Sequence, residues 1–361
     1  MNAKKQILIF FTSIFMTIFF YIGFIFLGNH IGLAAFQNAE KWIADAYEVK
    51  TLINEQATTK QRIFIAGGSS SLFGFNGAMI EVNTDFRFIN YATHAGLPLN
   101  YHIDKVIHHA KKGDIVILPL EFSYYASSIP SEHYWYIQNM LTWDKDYKKY
   151  IDTYHELLAY FKNNPSEILF RMMIDFYKEK VVNQVSKEQI AYRPIDLEEI
   201  DTQDGIKITS CQDEIFKSYS YLYLSPNGDF CPEGSKITDS EKVDYLSKDL
   251  KLSSFFLSEY QRLKTFADSQ NITLILTYPV TLENPLFSLD DKETYKKIEN
   301  LKAELEKHDI RIYGDFRDSH FGREYFYDTH YHLNAKGAQL RTKKFIQALP
   351  QILESAQKSS E

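Results

Sequence analysis

Ile63-Phe64-Ile65-Ala66-Gly67-Gly68-Ser69-Ser70-Ser71-Leu72-Phe73-Gly74 opens as an apolar, β-branched run and then breaks into two glycines and three serines. The run reads as a buried strand. Glycine lets the chain turn where a side chain would clash. A serine on such a turn, just before a helix, presents its hydroxyl away from the sheet. The helix N-terminus beside it offers unpaired N–H groups that can hold an anion. That is a place for a nucleophile that must form an oxyanion. A purely structural turn and a phosphate-binding loop remain open on this stretch alone.

Working outward, Phe86 to Tyr91 is a second short apolar strand, leading into Ala92-Thr93-His94-Ala95-Gly96-Leu97-Pro98. Leu99, Ile103, Val106, Ile107 and Ala110 then mark one face of a helix. Gly113-Asp114 turns the chain into a third strand, Ile115 to Leu120, which ends at Glu121. The alternation of strand and helix, with a third strand apolar throughout, indicates a parallel sheet covered on both faces.

Residues 123 to about 250 interrupt the rhythm with Tyr, Lys, Asp and Glu and read as an insertion of the kind that shapes a cleft. Helices are expected in it near 145–162 and 166–185. The rhythm resumes with a helix marked by Phe256, Tyr260, Leu263 and Phe266, and a strand from Ile272 to Thr277. A helix marked by Tyr295, Ile298, Leu301 and Leu305 and a short strand from Ile310 to Tyr313 follow. Asn334 caps a last helix with Ala338, Thr342, Phe345 and Leu349 inward. The tail past Ser355 reads as disordered.

Ile7 to Leu27 holds no charged side chain. At about 1.5 Å per helical residue it covers a hydrocarbon core of roughly 30 Å. It is longer than the apolar region of a signal peptide, although Leu33-Ala34-Ala35 offers a cleavage site. Lys4 and Lys5 precede it and no Lys or Arg follows until Lys41. The positive-inside rule therefore leaves the amino terminus cytoplasmic and exports the rest. The expected organisation is a tail at 1–6, a membrane anchor at 7–28, a stalk or lid helix within 29–58, an α/β domain at 59–350 and a tail at 351–361. A surface helix of the domain is the alternative for the stalk.

The formal charge of −7 gives no basic footprint for nucleic acid. Two cysteines are too few for a disulfide scaffold or a four-cysteine zinc site. Outside the cytoplasm Cys211 and Cys231 can pair; two buried thiols are the alternative.

The second loop of interest is Tyr327-Asp328-Thr329-His330-Tyr331-His332-Leu333-Asn334-Ala335-Lys336-Gly337. A serine hydroxyl needs a base, and a histidine base needs a carboxylate to set its tautomer and stabilise the imidazolium. This loop supplies both, after a late strand whose carboxyl end falls on the same sheet edge as the serine turn. Asp328, His330 and His332 also alternate like metal ligands, but no second ligand cluster completes a site. A polar surface loop is the remaining alternative.

The two loops together resemble the first and last blocks of the SGNH (GDSL-type) hydrolase superfamily. Gly68-Ser69-Ser70-Ser71-Leu72 is similar to the first, with Ser70 at the nucleophile position and Ser69 where many members have Asp. His332-Leu333-Asn334-Ala335-Lys336-Gly337 is similar to the last, with His332 as base and His330 as a rival. The family's acid stands three residues before that histidine; here Asp328 stands four before. The second block implies an oxyanion glycine, best matched by Gly96, with the Ser70 amide as its companion. The third block implies Asn, and here the strand ends in Leu120-Glu121.

The resemblance implies a three-layer, SGNH/flavodoxin-like α/β fold and a Ser70–His332–Asp328 triad without a cofactor. With one anchor it resembles the envelope branch that includes the teichoic-acid D-alanine transfer protein and alginate O-acetylation proteins. That branch implies acyl transfer or hydrolysis on envelope glycans or related polymers, beside a multi-span membrane acyltransferase. A non-catalytic glycan-binding or accessory protein on a degenerate hydrolase fold is the alternative. Tyr124, Tyr125, Tyr134, Trp135 and Tyr136 would then stack on sugars, or else build core.

Overall fold

The computed structural model describes residues 3–30, 41–127, 185–194, 199–201, 204–211, 216–238 and 240–358. The chain divides into two compact units, Met1–Ala44 with Glu132–Gln184, and Asp45–Ser131 with Val185–Glu361. In the first, helix α1 spans Ala3–His30. Its Ala3–Gly23 part is long and apolar enough to cross a membrane, by a test that a signal sequence also passes. The helices expected near 145–162 and 166–185, and Tyr134, Trp135 and Tyr136, lie outside the described residues.

The second unit is built on a five-stranded parallel sheet. Helix α2 (Lys41–Glu55) precedes strand β1 (Arg62–Ile65), the serine turn α3 (Ser69–Leu72) and helix α4 (Gly77–Asn83). Strand β2 (Arg87–Asn90), helix α5 (Leu99–His109) and strand β3 (Ile115–Leu118) follow. Helix α6 (Ser254–Ser269), strand β4 (Thr273–Thr277), helix α7 (Lys292–Glu306), strand β5 (Ile312–Tyr313) and helix α8 (Ala335–Lys358) complete the frame. The strand order is β2-β1-β3-β4-β5. In register, Ile63 of β1 stands between Phe88 of β2 and Ile115 of β3.

Side chains alternate across a strand, so Ile63, Ile65, Phe88, Ile115, Ile117 and Ile275 share one face and pack with Leu349, Ile352 and Ala356 of α8. Phe64 points the other way and stacks on Tyr91, which meets Tyr47 of α2. The part of α2 from Asp45 onward is thus a built-in element of the unit. Its Lys50 is fully buried and its Nζ donates to the carbonyls of Asn90 and Gly228 at 2.6 and 2.5 Å. Burial lowers Lys50 to about 7 despite the nearby Asp229 carboxylate.

Helix α8 runs beyond the 350 boundary, through Pro350 to Lys358, so the tail expected from 351 is helix over most of its length. Its start is capped as the sequence suggests, the Asn334 side chain accepting from the Gly337 amide at 3.0 Å. Within the expected insertion, Cys211 and Cys231 are joined by a disulfide. Sheet order 2-1-3-4-5 reverses direction between β1 and β3, and the crevice beyond the carboxyl ends at such a switch point is where open α/β sheets bind ligands. The serine turn leaves β1 there, and Pro119–Glu121 leaves β3 there.

Candidate active site

Beyond β1 the Ala66 amide still pairs with the Ile117 carbonyl, and then Gly67, at φ +142°, turns the chain out of the sheet. Few side chains tolerate that backbone. Gly68 is required for a different reason. A Cβ there would lie 2.4 and 2.6 Å from the Glu121 carboxylate oxygens and 2.6 Å from Ala95 Cα.

Glu121 is the residue that shapes the turn. Its carboxylate accepts from the Ser70 amide at 2.9 Å and the Gly68 amide at 3.2 Å. It is fully buried. Burial raises its pKa, opposed by those amides and the Ser70 hydroxyl. At the carbonyl end of the turn, buried Arg341 of α8 donates to the Ser70 and Tyr278 carbonyls, each at 3.0 Å. Burial lowers Arg341 to about 9 against the pull of Glu121. A carboxylate at the amide end and a guanidinium at the carbonyl end match the partial charges of a helical turn.

The second loop brings its acid and base together. Asp328 Oδ1 lies 2.7 Å from His332 Nδ1. The four-residue spacing is taken up by a turn in which the His332 amide donates to the Thr329 carbonyl at 3.2 Å. The Tyr219 hydroxyl donates to Asp328 Oδ2 at 2.7 Å and lies 3.1 Å from His332 Nδ1. Burial raises Asp328, but the His332 hydrogen bond and charge with the Tyr219 hydroxyl outweigh it, leaving it below its ordinary value. Burial lowers His332 by more than Asp328 raises it. The ring is therefore neutral at pH 7, with its proton on Nδ1 facing Asp328 and its Nε2 lone pair ready to accept. His330 turns elsewhere, its Nδ1 2.8 Å from Glu241.

The loops meet at Phe73, which closes the serine turn and stacks on the His332 ring with centroids 4.1 Å apart and planes 12° apart. A further element joins them. The Gly96 amide donates to His94 Nδ1 at 2.9 Å. Burial and then the charge of His332 depress His94 to about 4. The His94–Leu97 loop is held from beneath by the Tyr124 hydroxyl, which donates to the Ala95 and Leu97 carbonyls and lies 3.0 Å from His102 Nε2.

Neither amide expected to hold an oxyanion is free: Ser70's goes to Glu121 and Gly96's to His94. Ser70 is fully buried, and its Oγ donates to the Pro119 carbonyl at 3.4 Å. No hydrogen bond joins Ser70 to His332 among the described residues. There, too, no group of three or more His, Cys, Asp or Glu side chains is placed to hold a metal ion.

Nothing in the sequence marks Tyr219 or Arg341, and there Glu121 stands only where an Asn is missing. A lone carboxylate ending an apolar strand was the available signal for Glu121. Tyr219, in a tyrosine-rich stretch, had none.

What the fold and site define is an α/β unit with a serine turn at the switch point of a parallel sheet and a histidine–carboxylate pair packed on that turn. No model of a known protein family matches the sequence, and no curated protein matches it.

Proposed function

We propose that the chain is a serine acyl hydrolase or O-acyltransferase of the SGNH type, with a three-layer fold, acting on acyl esters of envelope glycans or related polymers. The observation that carries this reading is the Asp328–His332 pair stacked, through Phe73, on the serine turn. A turn serine, assigned to Ser70 by the resemblance, attacks the acyl carbonyl carbon. Its proton passes to His332 Nε2 and the carbonyl π pair moves onto oxygen. Collapse of that oxyanion expels the leaving alkoxide, which takes the proton from His332. Water or an acceptor hydroxyl then reverses the sequence, giving hydrolysis or transfer. Asp328 orients the ring and stabilises its charged form. The apolar α1 helix supports a membrane anchor; Lys4 and Lys5 before it favour a cytoplasmic amino terminus and an exported main domain, and the resemblance implies a multi-span acyltransferase that supplies acyl groups.

The test uses the full chain in detergent, an aryl acetate and a fluorophosphonate probe. Time-dependent labelling and turnover that His332→Ala removes are the expected result. Equal labelling of the parent and His332→Ala proteins overturns the reading. The engaged Ser70 and Gly96 amides favour a second reading, a non-catalytic glycan-binding protein. It requires polymer binding that survives alanine at both Ser70 and His332.

A further inference from the structure

Three adjacent serines stand on the turn, and the structure distinguishes them. Ser70 and Ser71 are fully buried, with both hydroxyls directed at the Pro119 carbonyl, at 3.4 and 3.5 Å. The Ser70 amide is held by Glu121 and its carbonyl by Arg341. Every polar group of Ser70 is thus committed to the protein beneath the turn. Ser69 differs. It retains 6% of its surface, and among the described residues neither its hydroxyl nor its amide makes a hydrogen bond.

Position on the turn points the same way. The Phe73 amide donates to the Ser69 carbonyl at 3.0 Å, so the two residues are one helical turn apart and share a face. Phe73 is the residue stacked on His332. Gly68, just before Ser69, has no side chain, and both the Glu121 carboxylate and the Ala95 backbone of the His94 loop come within the space a Cβ there would take. Ser69 thus lies one turn from the Phe73 ring that stacks on His332 and next to the Gly68 that approaches Ala95 of the His94 loop, whereas the Ser70 hydroxyl is turned toward Pro119 beyond β3.

We infer that Ser69, rather than Ser70, is the nucleophile. Its Oγ bonds to the acyl carbon as its proton goes to His332 Nε2, and the leaving alkoxide later takes that proton. The Ser69 amide, with no partner among the described residues, is a donor available to the oxyanion. Ser70 is a positioning residue: through its amide, hydroxyl and carbonyl it locks Glu121 and Arg341 around the turn so that Ser69 faces outward. This inference rests on the acyl-transfer reading above.

The experiment labels the full parent chain in detergent with a fluorophosphonate, which loses fluoride to the attacking oxygen. The modified serine is then located by tandem mass spectrometry. Phosphonylation of Ser69 is expected, with labelling lost in Ser69→Ala and still found at Ser69 in Ser70→Ala. A label on Ser70 or Ser71 overturns the inference and leaves the acyl-transfer reading standing. Absence of label from all three serines of the parent overturns both.

Discussion

Among the described residues two chains of hydroxyl, imidazole and carboxylate are put to opposite uses. In the first, Thr281 Oγ1 lies 2.8 Å from His320 Nδ1, and His320 Nε2 lies 2.8 Å from Glu283. Thr281 and His320 face each other in a short parallel strand pair, and both are buried. Both ring nitrogens are satisfied, so this imidazole has no lone pair or proton to offer a substrate. It is a strut between strands. In the second, Asp328 and Tyr219 occupy only Nδ1 of His332. Among the described residues no hydrogen bond reaches Nε2, and the ring is fixed in place by stacking on Phe73. A base needs one nitrogen anchored and one left over, and of these two imidazoles it is His332 that has that.

The two histidines differ most in what their loss does. His332→Ala is expected to lower aryl acetate kcat on the order of 10⁶-fold, as loss of the base does in serine hydrolases. His320→Ala, corrected for the folded fraction, is expected to leave kcat at the parent value. A His320 variant that loses activity to the same extent while folded reverses the assignment of strut and base.

Asp328→Asn comes next, with an expected loss of about 10⁴-fold in kcat because the amide stabilises the wrong tautomer. The residual activity carries a second signature. Asp328 raises the His332 pKa against the lowering effect of burial. Removing its charge lets the pKa fall further, so the acid limb of kcat/KM moves to lower pH. A limb that moves up or stays put in a pH–rate profile contradicts the pairing.

The strut is sharpened by stability. The side chain in His320→Asn is too short to reach Glu283 and gives up that bridge, at about 1–3 kcal/mol. The sign with pH follows from the shift. Burial lowers His320 below 6.5, with Glu283 opposing. Below 6.5 the unfolded chain takes a proton there that the folded chain refuses, so this share of stability is full above 6.5 and shrinks as pH falls. Thermal melts are expected to show the parent losing Tm more steeply than His320→Asn below that pH.

These two regions were unequally legible in the sequence. The serine turn and the Asp328–His332 loop are dense local clusters, so their residue types announced a site before any contact was known. The sheet was legible because its strands are apolar runs closed by glycine turns. What joins distant segments was not. Tyr219 reaches Asp328 across 109 positions, and Arg341 reaches the Ser70 carbonyl across 271. Neither distance leaves a periodic or local trace. Glu121 stood in view at the end of β3, yet only packing against Gly68 shows that its carboxylate holds the turn's amides. The choice among three identical serines was equally out of reach, because side-chain direction on a single turn depends on what lies beneath it.

Tyr219 provides the finest test of the difference between strut and base, because its hydroxyl touches the carboxylate rather than the reacting atoms. It donates to Asp328 Oδ2 and helps hold that carboxyl below its ordinary pKa. Tyr219→Phe removes the donor while keeping the ring that packs against Phe73. A hydrogen bond to a charged group contributes about 1.5–3 kcal/mol, and only part of that is felt at the ring, so kcat is expected to fall about tenfold with KM unchanged. The unshared charge on Asp328 then acts more strongly on His332 and raises its pKa. The acid limb moves to higher pH, opposite to its movement in Asp328→Asn. Two variants that touch the same carboxylate and shift the limb in opposite directions separate electrostatic coupling from mere loosening of the loop, which would move both the same way.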